Sequence, residues 1–260
     1  MPIFLLLALV LLLSAAGSTA AFGQSKQLPG IKGSDDRVLV ETDRLPWRAI
    51  GRVNKTTGGF CTGTLIAPAL VLTAAHCLWN TRTRRWLPAR SLHFVAGYRR
   101  GAFLAHSTVS DYRLPEPNAA ARPDATRRNP RNDWALLELD KRLGDSLGTV
   151  PLVRLEDIDT ATLRRPDIRF LQAGYSQDKA HILTLHDDCD LVKDAITGGL
   201  LLHECDATRG DSGSPVMMRR GGDYSIVAMH IATLTHSGRR VGAAIPVSVF
   251  ADQVRHLERD

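Results

Sequence analysis

From about residue 38 onward the chain is a succession of short apolar runs of β character, broken by Gly, Pro, Asn and Asp, and this alternation most restricts its fold. Clear runs are Cys61–Thr73, His93–Tyr98, Trp134–Leu139, Ile168–Ala173, Leu200–Glu204, Tyr224–Ala232 and Val241–Ile245. Many short strands at such spacing pack as an all-β sandwich or barrel. The stretch from Asp111 to Asn132, rich in Pro, Ala and Arg, reads as a surface loop. Near the end, Phe250, Val254 and Leu257 recur at i, i+4 and i+7, with Ser248 placed to cap and Asp252 in the first turn. That spacing predicts a C-terminal amphipathic helix packed on the body. There is no sustained heptad and no internal repeat, so a coiled coil, solenoid or propeller is not expected.

The longest apolar run, Ile3 to Leu13, is followed by small residues through Ala21. It is too short for the ~20 residues of a spanning helix and fits the apolar region of a signal peptide over residues 1–23. A secreted or periplasmic protein with no membrane span after signal removal is expected. Export makes the four cysteines legible. Cys61 and Cys77 are separated by the same interval as Cys189 and Cys205, without any Cys-x-x-Cys element, which favours disulfides over a metal site. Four cysteines allow three connectivities. Pairing sequence neighbours would close two loops of similar size, each stabilising by ~3 kcal/mol in the chain-entropy model. The net charge of +6 comes from 33 Lys and Arg against 27 Asp and Glu. Its basic residues are scattered as pairs such as Arg99-Arg100 and Arg239-Arg240, without a reader module, so nucleic acid is not an expected partner.

Chemistry concentrates in three strings. Gly210-Asp211-Ser212-Gly213-Ser214-Pro215 presents a serine in a tight turn, but a serine nucleophile also needs a base and a carboxylate to orient that base. Thr73-Ala74-Ala75-His76-Cys77 supplies the candidate base. Asn132-Asp133-Trp134-Ala135 offers an acid at the entrance to an apolar strand. Taken together, in the order His, Asp, Ser, these strings resemble those of trypsin-like (chymotrypsin-fold) serine proteases, over nearly everything from Val38 to Ile245. Ser214-Pro215, the Cys189 and Cys205 pair, and Met229-His230 resemble the bacterial V8-like, glutamyl-endopeptidase-like branch.

The resemblance implies two six-stranded antiparallel β-barrels over residues 38–260, with the site between them and a C-terminal α-helix. It implies Ser212 as nucleophile, His76 as base, Asp133 as orienting acid, and the amides of Gly210 and Ser212 as oxyanion hole. It matches Cys61 and Cys77 to the bridge across the histidine loop. A monomer acting on peptide or protein substrates, with neither metal nor organic cofactor, is implied. Two residues make opposed statements about specificity. Asp206 stands where Lys/Arg-specific members keep a pocket carboxylate, and His230 where glutamyl endopeptidases keep a histidine. Residues 24–37 read as a leader, and cleavage between Arg37 and Val38 would free an α-amino group able to pair with Asp211. The reading from another class is a catalytically silent homologue that binds peptides or a protein. An esterase of the α/β-hydrolase kind is disfavoured by the order of the three strings.

Overall fold

The computed structural model describes residues 28–116, 129–158, 160–163 and 165–257. The signal-peptide expectation, the start of the leader and the middle of the 111–132 stretch lie outside the described residues. Among the described residues no helix is long and apolar enough to cross a membrane.

Among the described residues sixteen strands, numbered in chain order, build two main units and a small hairpin. In the first, β2 (Ile50–Lys55), β3 (Phe60–Ala67), β4 (Leu70–Thr73), β7 (Leu92–Ala96), β8 (Ala105–Arg113) and β9 (Ala135–Leu139) close a barrel in the order β2-β3-β4-β9-β8-β7. All its pairings are antiparallel. A small hairpin of β5 (Trp79–Asn80) and β6 (Arg85–Trp86) stands outside it. Ile50, Leu65, Leu72, Phe94 and Leu136 fill the interior with no exposed surface, each such burial being worth roughly 1.5–3 kcal/mol.

The second unit is an eight-stranded antiparallel sheet in the order β1-β11-β10-β14-β15-β16-β13-β12. Its members are β1 (Val38–Leu39), β10 (Ile168–Gly174), β11 (Thr184–His186), β12 (Leu191–Thr197), β13 (Leu200–His203), β14 (Pro215–Arg220), β15 (Asp223–His236) and β16 (Arg239–Pro246). The chain is therefore all-β, as expected, with one closed six-stranded barrel. The second unit has two strands more than six, with β1 paired to β11 at one edge and β12 paired to β13 at the other.

Three local expectations shift for identifiable reasons. Cys61–Thr73 is two strands, since Pro68 and Ala69 turn the chain between β3 and β4. The 111–132 stretch begins as strand. Through Arg113 it pairs with β9, and Tyr112 Oη donates to Leu87 O at 3.0 Å while Arg113 meets Glu138 at 3.0 Å, side-chain bonds that replace the missing apolar pattern. Ser248 does not cap the last helix. It lies in a 3-10 turn, Val247–Val249, and the helix runs Ala251–Leu257. Phe250 and Val254 are buried as predicted, and the Phe250 ring lies 6.1 Å from Trp134, pinning the start of β9.

Candidate active site

His76 follows β4 in a 3-10 turn, Ala75–Leu78, whose backbone is tied to the opposite strand entrance by Ala75 N–H to Asp133 O at 3.2 Å. Asp133 ends another 3-10 turn, Pro130–Asn132, and is 7% exposed. Its carboxylate accepts twice from the same residue: from the His76 N–H at 2.8 Å and from His76 Nδ1 at 2.6 Å. A carboxylate can only accept, so Nδ1 carries the proton and Nε2 is left with its lone pair. Cys77, within this turn, is joined to Cys61 on β3 with Cα atoms 6.1 Å apart, and Cys189 is joined to Cys205 with Cα atoms 4.9 Å apart. Cys61, His76 and Cys77 bring ligand-type atoms within 4.8 Å of one another, but both sulfurs are committed to the disulfide.

Ser212 is half-buried on the turn from Thr208 to Ser214. The turn is anchored to both units. Thr62 N–H donates to Ser212 O at 2.9 Å, and Gly213 N–H donates to His230 O at 2.8 Å. Thr62 Oγ1 donates to Gly210 O and accepts from Tyr175 N–H, each at 2.9 Å. Arg209 O accepts from Gln177 N–H at 2.6 Å. In a trans peptide the N–H points opposite to the carbonyl, so this bond turns the Gly210 N–H away from Gln177. Gly210 has φ +97°, and a Cβ there would stand 2.4 Å from Tyr175 O and 2.8 Å from Phe60 Cε2. Gly210→Ala is therefore expected to displace this peptide and lower kcat by about 10²–10³ with KM little changed, read by steady-state peptide hydrolysis.

The two candidate specificity residues have different surroundings. Asp206 is buried, and its carboxylate accepts Lys32 N–H at 2.7 Å and Asp36 N–H at 3.3 Å. Burial would raise its pKa, but bonds from His186 and from these two amides outweigh that and hold it below the usual range. His230 is 3% exposed, with its Nδ1 3.0 Å from His203 Nε2. His203 Nδ1 is buried without a partner. An orphaned acceptor is more tolerable than an orphaned N–H, so the favoured arrangement has His203 Nε2–H donating to His230 Nδ1 and the His230 proton on Nε2. Burial, then the charges of Lys32 and His76, lower the His230 pKa to about 3. Burial, His230, Lys32 and His186 hold His203 well below its ordinary value.

In the uncleaved chain the residues of the expected activation site have other partners. Arg37 is buried, bonded to Asp35 at 2.8 Å and Asp178 at 2.7 Å, and Val38 lies in β1 opposite Leu185. Asp211 is satisfied by Ser176 Oγ at 2.6 Å and Thr208 N–H at 2.7 Å, and burial raises its pKa to about 6. These shifts act on stability with opposite signs. A histidine depressed to about 3 loses stability as pH falls below the unfolded value near 6.5, about 2 kcal/mol by pH 5 for His230. Asp211, raised to about 6, gains roughly 1 kcal/mol between pH 7 and 5. The histidine prevails. Urea unfolding is expected to weaken from pH 6.5 to 5 in the wild type, and His230→Gln to reduce or reverse that slope.

Of the site residues read from the sequence, the structure brings His76 and Asp133 into direct contact and places Gly210 and Ser212 on one turn. Thr62, Ser176, Thr208 and His203 carry no local signal in the sequence. Their only signal is strand register, such as His203 opposite Gly242 on β16.

Residues 39–254 match the family described as Trypsin. The chain is 29% identical to the glutamyl endopeptidase of Bacillus licheniformis over 46% of its own length and 36% of that protein's. It is 31% identical to serine protease 23 of Mus musculus, over 76% of this chain and 53% of that one. Among solved structures, a Glu endopeptidase determined in complex with MPD superposes with a TM-score of 0.69 at 19% identity, covering 88% of this chain and all of that one. The chain spans between 14% and 58% of the length of the curated relatives it matches.

Proposed function

Because the chain belongs to the trypsin family of serine proteases, we propose that it is an exported endopeptidase in which Ser212, His76 and Asp133 act as one unit. Ser212 Oγ attacks the scissile carbonyl and His76 Nε2 takes its proton. The tetrahedral oxyanion is held by the Gly210 and Ser212 N–H groups. Collapse transfers the His76 proton to the leaving amine, giving an acyl-enzyme that water hydrolyses by the same sequence. The observation that carries this reading is the pair of hydrogen bonds from His76 to Asp133, which places the proton of the neutral imidazole on Nδ1 and orients the ring.

Substrate binding follows from a strand edge. β15 is paired with β14 only as far as Met229, while its pairing with β16 continues to His236. Residues after His230 therefore offer a free edge beside the Ser212 turn, the arrangement by which an extended peptide adds as a further strand. For the residue before the cleaved bond, we favour an acidic side chain. Asp206, the alternative cation-selecting group, has its carboxylate occupied by backbone N–H groups, whereas His230 Nε2–H is a donor suited to a carboxylate.

Digestion of a diverse peptide library, with products identified by mass spectrometry, tests the proposal. Cuts after Glu or Asp are expected, together with covalent labelling of Ser212 by a fluorophosphonate. Cuts after Lys or Arg would return the pocket to Asp206. Absence of both labelling and cleavage would leave a peptide-binding homologue.

A further inference from the structure

On the proposed mechanism the acyl part of a substrate lies along the free edge of β15, in the second unit. The part that departs with the amine must pass His76, which returns the proton to it, and so crosses onto the first barrel. There β3 offers an edge of its own. Its pairing with β4 begins only at Thr64, so residues 60–63 have β2 on one side and the Ser212 turn on the other. Successive residues of an antiparallel strand direct their N–H and C=O groups to opposite edges. Gly59 O accepts from Lys55 N–H on β2 at 3.2 Å, and Thr62 N–H donates to Ser212 O at 2.9 Å. Phe60 follows Gly59 and stands two positions from Thr62, so its N–H and C=O face the open side, where an extended peptide leaving Ser212 would run.

A peptide on that edge meets a group of cations. Lys55 ends β2, and its side chain crosses the neighbouring strand, where a Cβ on Gly59 would stand 3.7 Å from Lys55 Cε. Arg209 precedes Gly210 on the Ser212 turn and is exposed. Arg52 holds its guanidinium 4.0 Å from the centre of the Phe60 ring and 4.6 Å from that of Tyr98. Burial, then the charge of Arg209, lowers the Lys55 pKa, as expected of two cations within reach of each other. Farther out, the turn between β5 and β6 adds Arg82 and Arg84, both exposed. That hairpin faces the turn between β2 and β3 across a depression lined by Thr56, Thr57, Asn80 and Trp86.

These cations lack acids. Many surface arginines elsewhere are ion-paired, as Arg90 is with Asp140, Arg113 with Glu138, Arg142 with Asp145 and Arg219 with Asp187. Arg52 instead donates to a carbonyl, Ala180 O at 3.1 Å, and among the described residues no carboxylate comes within ion-pair distance of Lys55 or Arg209. A cleft wall of one sign attracts ligands of the other.

We infer that Lys55 and Arg209 select the leaving side of the substrate, taking an acidic side chain among the first three residues after the cleaved bond. The inference rests on the reading of Ser212 as nucleophile and extends it to the far side of the cut. Side chains of an extended peptide alternate in direction, so three consecutive positions present at least one to each flank of the edge. Together with an acidic residue before the bond, this directs cleavage into acidic runs rather than to isolated acidic residues.

The test uses peptides that share the acyl side selected in the library digestion and carry Glu, Gln or Lys at each of the three following positions in turn. Their kcat/KM values are compared for wild type, Lys55→Gln and Arg209→Gln, beside Ser212 labelling by a small fluorophosphonate. In the wild type Glu is expected to exceed Gln by about fivefold at one position or more, with Lys lowest, and salt near ~1 M to flatten the series. Each substitution is expected to lower that ratio at least about twofold. The ratio is read within one protein, so a general loss of catalysis cancels, and exposed Arg209 supplies a variant that keeps the fold should Lys55→Gln not. A wild-type ratio near one at all three positions, or a ratio that neither substitution lowers, would overturn the inference and leave Ser212 as nucleophile. Absence of both labelling and cleavage in every form would remove the nucleophile reading, and the leaving-side selection with it.

Discussion

Replacing Ser212 by alanine is expected to lower kcat for peptide hydrolysis by about 10⁶, the loss seen when a nucleophile is removed from a triad that works as a unit. The substitution deletes one oxygen and leaves the turn's anchors in place, because these are backbone bonds: Thr62 N–H to Ser212 O and Gly213 N–H to His230 O. Stability is accordingly expected to stay within about 0.5 kcal/mol of wild type. Residual hydrolysis above the uncatalysed rate would come from the oxyanion donors and substrate positioning. The measurement is active-site-titrated steady-state kinetics on the processed chain, with urea unfolding of both proteins. A variant within tenfold of wild type would remove Ser212 from the chemistry.

Asp133→Asn is expected to cost about 10⁴ in kcat with little change in fold. An asparagine can keep its Oδ1 on the His76 N–H, which now donates to Asp133 Oδ1 at 2.8 Å, so the backbone geometry survives. Its other atom is an amide nitrogen, a donor, placed where Oδ2 now accepts from Nδ1 at 2.6 Å. Two donors cannot face each other. The imidazole answers by moving its proton to Nε2, where it can no longer take one from Ser212. Nitrogen-15 chemical shifts of His76 would report the tautomer directly. A wild-type tautomer combined with the rate loss would refute this account and leave electrostatic stabilisation of the imidazolium as the whole effect.

The parts of this molecule that could be read from the chain are those whose reason is local. His76 beside Cys77, Asp133 at a strand entrance and Ser212 between Gly210 and Gly213 each carry their signal within a few residues. The β character was legible for the same reason, since burial on a pleated strand leaves an apolar run such as Ala135–Leu139. What was not legible depends on register between distant segments. Lys32 and Asp206 meet across 174 residues, and nothing near either position announces the other. Asp206 is legible only by its place before Ser212, while the main-chain N–H groups its oxygens accept come from Lys32 and Asp36. His203 had no ligand spacing and gains its place only because β13 and β15 both pair with β16. The leader was legible as polar and Asp-rich. Its place beside Ala207, whose N–H donates to Gly30 O at 3.2 Å, depends on a partner far along the chain.

Thr62 belongs by sequence to the first barrel, yet its hydroxyl joins Gly210 to Tyr175 across separations of 148 and 113 residues, and its amide holds Ser212. The catalytic turn is thus finished by a strand from the other half of the molecule. On the proposed mechanism neither half supplies a whole centre, since His76 and Asp133 come from one and Ser212 from the other. Under the proposed function, turnover becomes a coincidence signal, produced only when both halves are in register. Activity lost in step with the seam, ahead of either unit's own unfolding, would be the denaturation signature of such an arrangement.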